Sequence, residues 1–416
     1  MHPHVRARRL TRIVACALVA AQMPILAQAA DAPPFGILLA QALAESPAFL
    51  EQQADVGAAL ADAAQAKAWP NPRLDTLVEN LGAPQSGGQS QRQSTYSLTQ
   101  PLEILGQRAA RVQVSERQLG VAEARRYQAK VDFAADLAIA HATVEAMLAR
   151  KALAQDDLKR AQEDLRAARA QVQAGREADI RQAQASASVA ASQAAAIAAD
   201  ADTSQALNRL SMLAGASTPY TGVSERLLAV VRPAVNPVQG ESLAVATARA
   251  EREALEAQVT VEQKKWLPDI NVSAGVRRYA WSSQSGYVLG VSASIPLFDQ
   301  NVNGVAAARQ RIAAAEARLA AAVLQADATR RSAQAQVGAA EQRLLAATEG
   351  EQAASEAYRL GRIGYESGKT SLMELLAIRR ALSESKGLTI DAQLARVRAL
   401  SALAQADGKP AFGDEK

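Results

Sequence analysis

The chain has 416 residues, with 46 Lys and Arg against 42 Asp and Glu and a formal net charge of +4. Residues 1–29 carry four Arg and no acid, so the remainder is electrically balanced and no basic surface for nucleic acid is predicted. The only Cys, Cys16, lies in that N-terminal stretch, which excludes disulfides and thiolate metal sites from the remainder. Aromatic residues make up only 4%, a composition typical of long Ala-rich helices.

Residues 1–29 have the pattern of a secretory signal peptide. A basic stretch precedes an apolar run from Ile13 to Leu26, and Ala27-Gln28-Ala29 forms a small-residue cleavage site. The residues before Cys16 resemble a lipidation motif, but most of the apolar run lies after them, which argues against a lipid anchor. No comparable apolar run follows, so we expect an exported chain without a transmembrane helix.

The remainder of the chain repeats one plan at an offset of roughly 195 residues. Each copy contains a Pro, two short β-like runs separated by a polar turn, a Pro-Leu pair, and a long Ala-rich helix that ends at Gly. This indicates a duplication of a β-hairpin followed by a long helix. The matching positions are Pro72-Arg73-Leu74 with Pro268-Asp269-Ile270, Pro101-Leu102 with Pro296-Leu297, and Gly175 with Gly368.

The first repeat is predicted to span residues 30–215, and a Pro-containing linker at mid-height is predicted at residues 216–240. Residues 36–67 are predicted to be one helix. The other predicted elements are strands at about 73–81 and 95–102, a long helix at about 104–174 and a return helix at about 176–214.

The second repeat is predicted to span residues 241–408, followed by a flexible tail at 409–416. The summed helix lengths predict that 176–214 and 241–265 stack end to end beside one long helix, and that 370–404 stacks with 36–67 beside the other. The predicted elements are strands at about 269–281 and 286–297, a long helix at about 301–367 and a return helix at about 370–404.

The four predicted strands are long enough to cross a bilayer at a tilt. The alternative is an ordinary soluble sheet beneath the helices. Four strands cannot close a barrel, and lipid forbids open sheet edges, so the membrane interpretation requires several copies to share one barrel. Candidate aromatic residues for the membrane interface are Tyr96, Tyr279, Trp281 and Tyr287.

Two strand-to-helix junctions carry a family resemblance. Residues 100–111 read Gln-Pro-Leu-Glu-Ile-Leu-Gly-Gln-Arg-Ala-Ala-Arg, and residues 295–301 read Ile-Pro-Leu-Phe-Asp-Gln-Asn. Together with the duplicated hairpin and long helix, they resemble the TolC-type outer-membrane efflux proteins over essentially all of the chain after the leader. The first junction is similar to that of the outer-membrane component of cobalt–zinc–cadmium resistance pumps.

The resemblance implies a mainly α fold with a small β part, in which three copies form a 12-stranded barrel and a 12-helix periplasmic tunnel. It places the protein in the outer membrane of a Gram-negative bacterium, in contact with lipid. Its implied partners are a periplasmic adaptor and, through the adaptor, an inner-membrane RND pump. The implied function is passive export of heavy-metal cations such as cobalt, zinc and cadmium.

The resemblance also makes the two glycine turns the periplasmic tips that contact the adaptor. These tips are Gly175 and Arg176 in the first repeat, and Gly368, Lys369 and Thr370 in the second.

Acidic gate residues are implied about two turns beyond each tip. Glu374 matches such a position, whereas Arg181 occupies the corresponding place in the first repeat and Asp179 is the nearest acid. Three copies of Glu374 are predicted to ring the closed tunnel end, with Arg181, Arg379 or Arg380 bridging to them. The alternative for Glu374 and Asp179 is a solvated helix face.

No catalytic set, cofactor site or metal site is predicted from the residues. His141 is the only His after the leader, and a lone His is expected to be structural or solvated because a metal site needs more ligands. Two other functions remain open on the sequence: a conduit for drug efflux or type I protein secretion, and a coiled-coil scaffold that forms no channel.

Overall fold

The computed structural model describes residues 30–229 and 241–412, so the predicted signal peptide lies outside the described residues. These residues form a mainly helical chain with a small antiparallel sheet, as predicted. The helices are α1 (Phe35–Glu45), α2 (Pro47–Ala66), α3 (Gln107–Gln173), α4 (Asp179–Leu213), α5 (Leu243–Lys264), α6 (Val302–Glu366) and α7 (Leu372–Ala406), with one 3₁₀ turn at Leu227–Ala229. The strands are β1 (Arg73–Glu79), β2 (Gln93–Leu102), β3 (Asp269–Tyr279) and β4 (Ser285–Ser294).

The predicted helix at 36–67 is two helices. Ser46 has an extended backbone with ψ of 123°, and Pro47 begins α2 at its first position. The helical conformation is unfavourable for the residue before a Pro, whereas Pro itself suits the first turn of a helix. One helix therefore ends before Ser46 and a new helix begins at Pro47. The sequence pattern alone had suggested continuity because Ala and Leu continue on both sides.

The sheet joins the two repeats. Its order is β1-β2-β3-β4, and every neighbouring pair is antiparallel. The central pairing places Leu98 opposite Ala274 and Leu102 opposite Ile270, so the second strand of one repeat meets the first strand of the other. The duplicated hairpins therefore form one continuous surface.

The stacking of the shorter helices differs from the prediction. Helices α5 and α7 both pack against α3 and against α6, whereas α2 and α4 pack against α3. The stacked pairs are therefore α2 with α4 and α5 with α7, and the predicted pairing of α4 with α5 is wrong. Summed helix lengths could not distinguish these pairings because both give nearly the same total.

Two glycines mark the places where the stacked helices meet. A Cβ on Gly408, just after α7, would lie 3.1 Å from Leu243 at the start of α5. A Cβ on Gly215, just after α4, would lie 3.4 Å from the backbone of Glu45 at the end of α1. Both glycines have φ of +71°, the left-handed conformation that commonly ends a helix.

The Gly-Gln-Arg-Ala-Ala-Arg stretch at the start of α3 caps the end of α2. Arg108 Nε donates a 3.0 Å hydrogen bond to the carbonyl of Lys67, and Arg111 Nε donates a 3.3 Å bond to that of Ala66. The last carbonyls of a helix lack intrahelical partners and carry partial negative charge, so two guanidinium groups satisfy and stabilise this end. The stretch therefore fixes α2 against α3 directly below the sheet.

The largest apolar core lies at mid-height, where α1, α3 and α4 meet. Phe35, Leu137 and Leu210 are fully buried there. The segment after α7 joins this core, because Ala411 is buried and the ring of Phe412 packs edge-on against Phe35 at 6.3 Å between centroids. Residues 409–412 are therefore packed, in contrast to the predicted flexible tail, and residues 413–416 lie outside the described residues.

His141 is part of this mid-height core. It is fully buried, and its ring packs edge-on against Phe35 at 6.1 Å between centroids. Burial lowers the pKa of His141 to about 4, although the nearby Glu225 carboxylate opposes that change. His141 is therefore neutral and structural, which removes the solvated alternative.

We predict that acid weakens the fold through His141. The folded-state pKa lies below the ordinary value of 6.5, so the unfolded chain binds the proton more tightly. Neutral His141 contributes fully to the free energy of unfolding above pH 6.5. As the pH falls to about 4, this contribution is lost and the free energy of unfolding drops by about 3 kcal/mol per chain. Thermal unfolding of the detergent-solubilised protein, followed by helical circular dichroism, measures this loss.

The matched variant is His141→Leu, which replaces the titratable imidazole with an apolar side chain of similar size. It should unfold at a temperature that depends less on pH between 6.5 and 4, whatever its stability at neutral pH. An equal pH dependence in both proteins would contradict the assignment.

Candidate functional site

One face of the sheet is apolar and fully open. Because opposed residues in an antiparallel sheet share a face, the register places Leu74, Leu98, Ala274 and Leu289 in one row across the four strands. Leu289 is 84% exposed. The rows on either side continue with Tyr96, Val276 and Tyr287, and with Val272 and Val291. A continuous apolar surface of this size marks an interaction site.

The opposite face of the sheet is polar. Near its hairpin end, Arg277 Nε donates a 3.0 Å hydrogen bond to Thr95 Oγ1, and an Arg277 nitrogen lies 3.5 Å from a Glu79 carboxylate oxygen. Further along, Thr99 Oγ1 donates a 2.8 Å hydrogen bond to Asp75. This face therefore presents hydroxyls and paired charges, as expected for a surface in contact with water.

Both edges of the sheet lack a strand partner among the described residues. β1 pairs only with β2 and β4 pairs only with β3, which leaves one row of backbone groups on each outer edge. Unpaired edges next to an open apolar face are unfavourable in water and forbidden in lipid. The sheet is complete only if another chain supplies the missing strands.

The predicted interface aromatics do not all lie on one face. Tyr96 and Tyr287 lie on the apolar face, and Tyr287 is 90% exposed. Tyr279 pairs with Gln93 on the polar face, so it lies on the face opposite to Tyr96 and Tyr287. Trp281 follows the end of β3 and packs on Tyr279 at 4.7 Å between ring centroids. The prediction grouped the four aromatic residues by position along the strands, without the alternation of faces.

A second aromatic group lies at the helical end of the sheet, and the sequence analysis missed it. Trp69 precedes β1, Trp266 precedes β3 and Phe298 follows β4, and all three side chains are exposed. Arg108 lies over the Trp69 ring at 5.0 Å from its centroid. The duplication could have revealed the two Trp residues, because each stands shortly before the Pro that precedes a first strand.

The two tips at the far end of the helices have the same backbone geometry. Gly175 has φ of +67° and Gly368 has φ of +75°. After each, a backbone N–H returns to the preceding helix, from Arg176 to Gln171 and from Lys369 to Gly364, both at 2.9 Å or less. This pattern is a helix C-cap that only glycine adopts easily. Thr370 closes the second tip by donating its N–H to Gly364 at 3.2 Å.

The predicted ring of Glu374 side chains involves three copies, so a single chain shows only the surroundings of each gate candidate. Glu374 is exposed in the first turn of α7, where its N–H donates to Ser371 Oγ at 3.2 Å. Asp179 is exposed at the first position of α4. Arg181 lies 3.6 Å from Glu177. The structure therefore pairs Arg181 with an acid on its own segment instead of Glu374.

Arg379 ties three helices together near the tips. Its side chain on α7 forms an ion pair with Asp164 on α3 and donates a 3.0 Å hydrogen bond to Ser188 Oγ on α4. Arg379 is only 9% exposed. Burial raises the pKa of Asp164, and the adjacent Arg379 guanidinium opposes that change. The predicted bridge from Arg379 to Glu374 is therefore replaced by a buried bridge to Asp164.

Asp164 and Ser188 were missed by the sequence analysis, although a signal existed. Asp157 lies one heptad before Asp164 on α3 and accepts a 2.7 Å hydrogen bond from Ser383, one turn after Arg379. Two acids at heptad spacing therefore face one side of α7. Because residues seven apart share one face of a helix in a coiled coil, acids at this spacing predict polar contacts with a neighbouring helix.

The described residues offer neither a metal cage nor a helical membrane span. Residues 30–229 and 241–412 contain no group of three or more His, Asp or Glu side chains placed to hold a metal ion. Within the same ranges, no helix combines the length and apolar character needed to cross a membrane. The features that stand out are thus the open sheet and the tips, about 100 Å apart along a helix of 67 residues.

The family profile described as "Outer membrane efflux protein" matches residues 38–216 and 235–409. The chain is 58% identical over 392 residues to the nickel-cobalt-cadmium resistance protein NccC of Alcaligenes xylosoxydans xylosoxydans, covering 94% of this chain and 90% of NccC. It is 61% identical over 393 residues to the nickel and cobalt resistance protein CnrC of Cupriavidus metallidurans, covering 94% of each.

The fold also matches a solved structure, the open state of the outer membrane channel MtrE of Neisseria gonorrhoeae. The TM-score is 0.78 at 20% identity, covering 91% of this chain and 90% of MtrE. The resemblance stated from the two junctions is confirmed by these matches, including its heavy-metal resistance branch. The chain belongs to the outer membrane efflux protein family.

Proposed function

We propose that three copies of this chain form an outer-membrane channel that exports metal cations as part of a tripartite pump. The observation that carries the proposal is the sheet with one open apolar face and two unpaired edges. Three copies would join β1 of one chain to β4 of the next and close a cylinder of twelve strands. The apolar face would then contact lipid and the polar face would line the pore.

The helices support the same closure. α2 and α4 pack on one side of α3, and α6 forms the other end of the layer. The outer sides of these helices carry exposed apolar residues, which another copy would cover. Those residues include Leu60, Ile180 and Ile197 on the first side, and Leu324, Leu345 and Leu360 on α6.

The tips provide the surface for the other components of the pump. Gly175, Arg176, Gly368, Lys369 and Thr370 lie at the end of the helices farthest from the sheet. With the sheet in the outer membrane, this end projects into the periplasm. We propose that a periplasmic adaptor binds here and connects the channel to an inner-membrane RND pump. The predicted signal peptide would direct the chain to this location.

The proposed cargo follows from the relatives. NccC is named for resistance to nickel, cobalt and cadmium, and CnrC for resistance to nickel and cobalt. We propose nickel, cobalt and cadmium cations as the substrates, and zinc remains a prediction from the earlier resemblance. Conduction would be passive, with the pump supplying the energy and the channel supplying a continuous polar path.

The buried bridge of Arg379 is the proposed latch of the periplasmic end. Because it links α7 to both α3 and α4, outward movement of α7 would require the Arg379–Asp164 pair to separate. A buried ion pair is costly to break by removing one partner, since the other charge is left without compensation. Glu374 remains the proposed acidic ring at the same end, where three exposed carboxylates would attract cations.

The function is tested in a Gram-negative strain that carries a nickel and cobalt efflux pump but lacks its outer-membrane channel. Expression of this chain with its adaptor and pump should lower cell-associated nickel and raise the tolerated nickel concentration. A pump with an inactivated proton pathway is the control. Restored drug tolerance or protein secretion without any change in nickel would favour the alternative conduits.

The membrane position is tested by adjacent residues on opposite faces of β4. Leu289→Arg places a charge on the proposed lipid face, at a cost of about 2–4 kcal/mol per chain near the middle of the bilayer. It should strongly reduce the amount of heat-modifiable trimer in outer-membrane fractions. Val288→Arg, on the polar face, should be tolerated. A soluble scaffold would accept Leu289→Arg readily, because this side chain is exposed in the single chain.

The latch is tested by single-channel recording in planar bilayers. Arg379→Gln and Asp164→Asn should each increase conductance or open probability, because either change removes the tie between the helices. Arg380→Gln, an exposed neighbour, is the matched control and should leave gating near that of the unmodified protein. If neither Arg379→Gln nor Asp164→Asn changes gating, the latch assignment is wrong.

Glu374→Gln should reduce cation preference more than it changes opening.

A further inference from the structure

On the polar face, the charged side chains nearest the hairpin end of the strands form one cluster. Arg277 on β3, Glu79 on β1 and Thr95 on β2 meet across three strands, with Arg277 bonded to Thr95 and paired with Glu79. Thr95 is only 6% exposed, so the guanidinium is fixed at its base. Glu79 is the last residue of β1, and the cluster therefore lies at the hairpin end.

Several neighbouring positions on this face have small side chains, although Leu77 lies in the same row on β1 and Tyr279 follows on β3. Ser273 and Gly275 precede Arg277 on β3, and Gly286 and Gly290 lie opposite on β4. A Cβ on Gly275 would lie 2.4 Å from the carbonyl oxygen of Tyr96, so glycine is required there. Strands β2, β3 and β4 therefore pack closely beside Arg277, and its guanidinium is the only charge that β3 presents on the polar face near the hairpin end.

We propose that the Arg277–Glu79 pair controls the ion selectivity of the outer exit of the channel. The inference rests on the proposed function, in which the polar face lines the pore and three copies form a ring. Three unpaired guanidinium groups would repel the metal cations that leave the channel. Glu79 cancels this charge locally, so the exit neither repels cations nor binds them tightly, as conduction requires.

The other charges on this face lie toward the helical end. Asp75 accepts its hydrogen bond from Thr99, and Arg73 and Asp269 begin their strands at that end. Asp75 is four residues from Glu79, which is roughly 13 Å along a strand and beyond one Debye length at physiological salt. Among the strand residues, the charge on the polar face near the exit is therefore set mainly by Arg277 and Glu79.

The test is the reversal potential of the purified protein in planar bilayers under a KCl gradient near physiological ionic strength, where charges more than about 8 Å apart are largely screened. Glu79→Gln should shift the cation-to-anion permeability ratio toward anions by about threefold, because three Arg277 charges lose their partners. Arg277→Gln should shift the ratio toward cations by a similar factor. The double variant should return close to the unmodified protein, because the net charge of the ring is again zero.

Arg278→Gln is the matched control, since it removes the same charge from the next residue on the apolar face. It should leave the permeability ratio unchanged. The inference would be overturned if Arg277→Gln and Arg278→Gln shifted the permeability ratio equally. It would also be overturned if neither Arg277→Gln nor Glu79→Gln shifted it. If Glu79→Gln fails to assemble, Arg277→Gln gives the same test with the opposite sign.

The outcomes also separate this inference from the proposed function. If the unmodified protein forms no channel, the proposed function fails. If it forms channels whose selectivity ignores Arg277 and Glu79, only the present inference fails.

Discussion

The backbone hydrogen bonds of the sheet dominate the organisation of this molecule. Four antiparallel strands leave two rows of N–H and C=O groups without partners, and the same sheet exposes an apolar face that includes Leu74, Leu98 and Leu289. Neither feature can be relieved within one chain, because the hairpins are short and the helices leave the sheet at its opposite end. Association of chains in lipid relieves both at once.

The helical part continues the same geometry away from the sheet. Two long helices, α3 and α6, are flanked by stacked shorter helices, so each level of the molecule has the same number of helical rods. Small residues at the contacts, such as Ala134, Ala138 and Ala168, allow close packing along this length. Polar contacts between helices lie at the two ends of the helical part: Arg108 and Arg111 next to the sheet, and Arg379 near the tips. Apolar packing thus holds the helices together along their length, and charged side chains join them at their ends.

Charge is used differently at the two ends. Near the tips, Arg379 is buried with Asp164, and this pair links helices that would have to separate for opening in the proposed assembly. At the sheet, Arg277 and Glu79 are half-exposed on the polar face, where they meet permeating ions in the proposed assembly. In the proposed assembly, the first pair would act on conformation and the second on the local electrostatic potential.

The sequence by itself determined the duplication, the helix and strand types, the glycine tips and the family. The family follows from the resemblance of the two strand-to-helix junctions, whereas the elements and the tips follow from local rules: long Ala-rich runs, two-residue alternation, and glycine at the helix ends. The tertiary structure alone decided which short helices stack, which face Tyr279 occupies, and that Arg379 meets Asp164 instead of Glu374. Residues separated by about 200 positions make these contacts, and no local period encodes which side of a neighbouring helix or strand a residue will face.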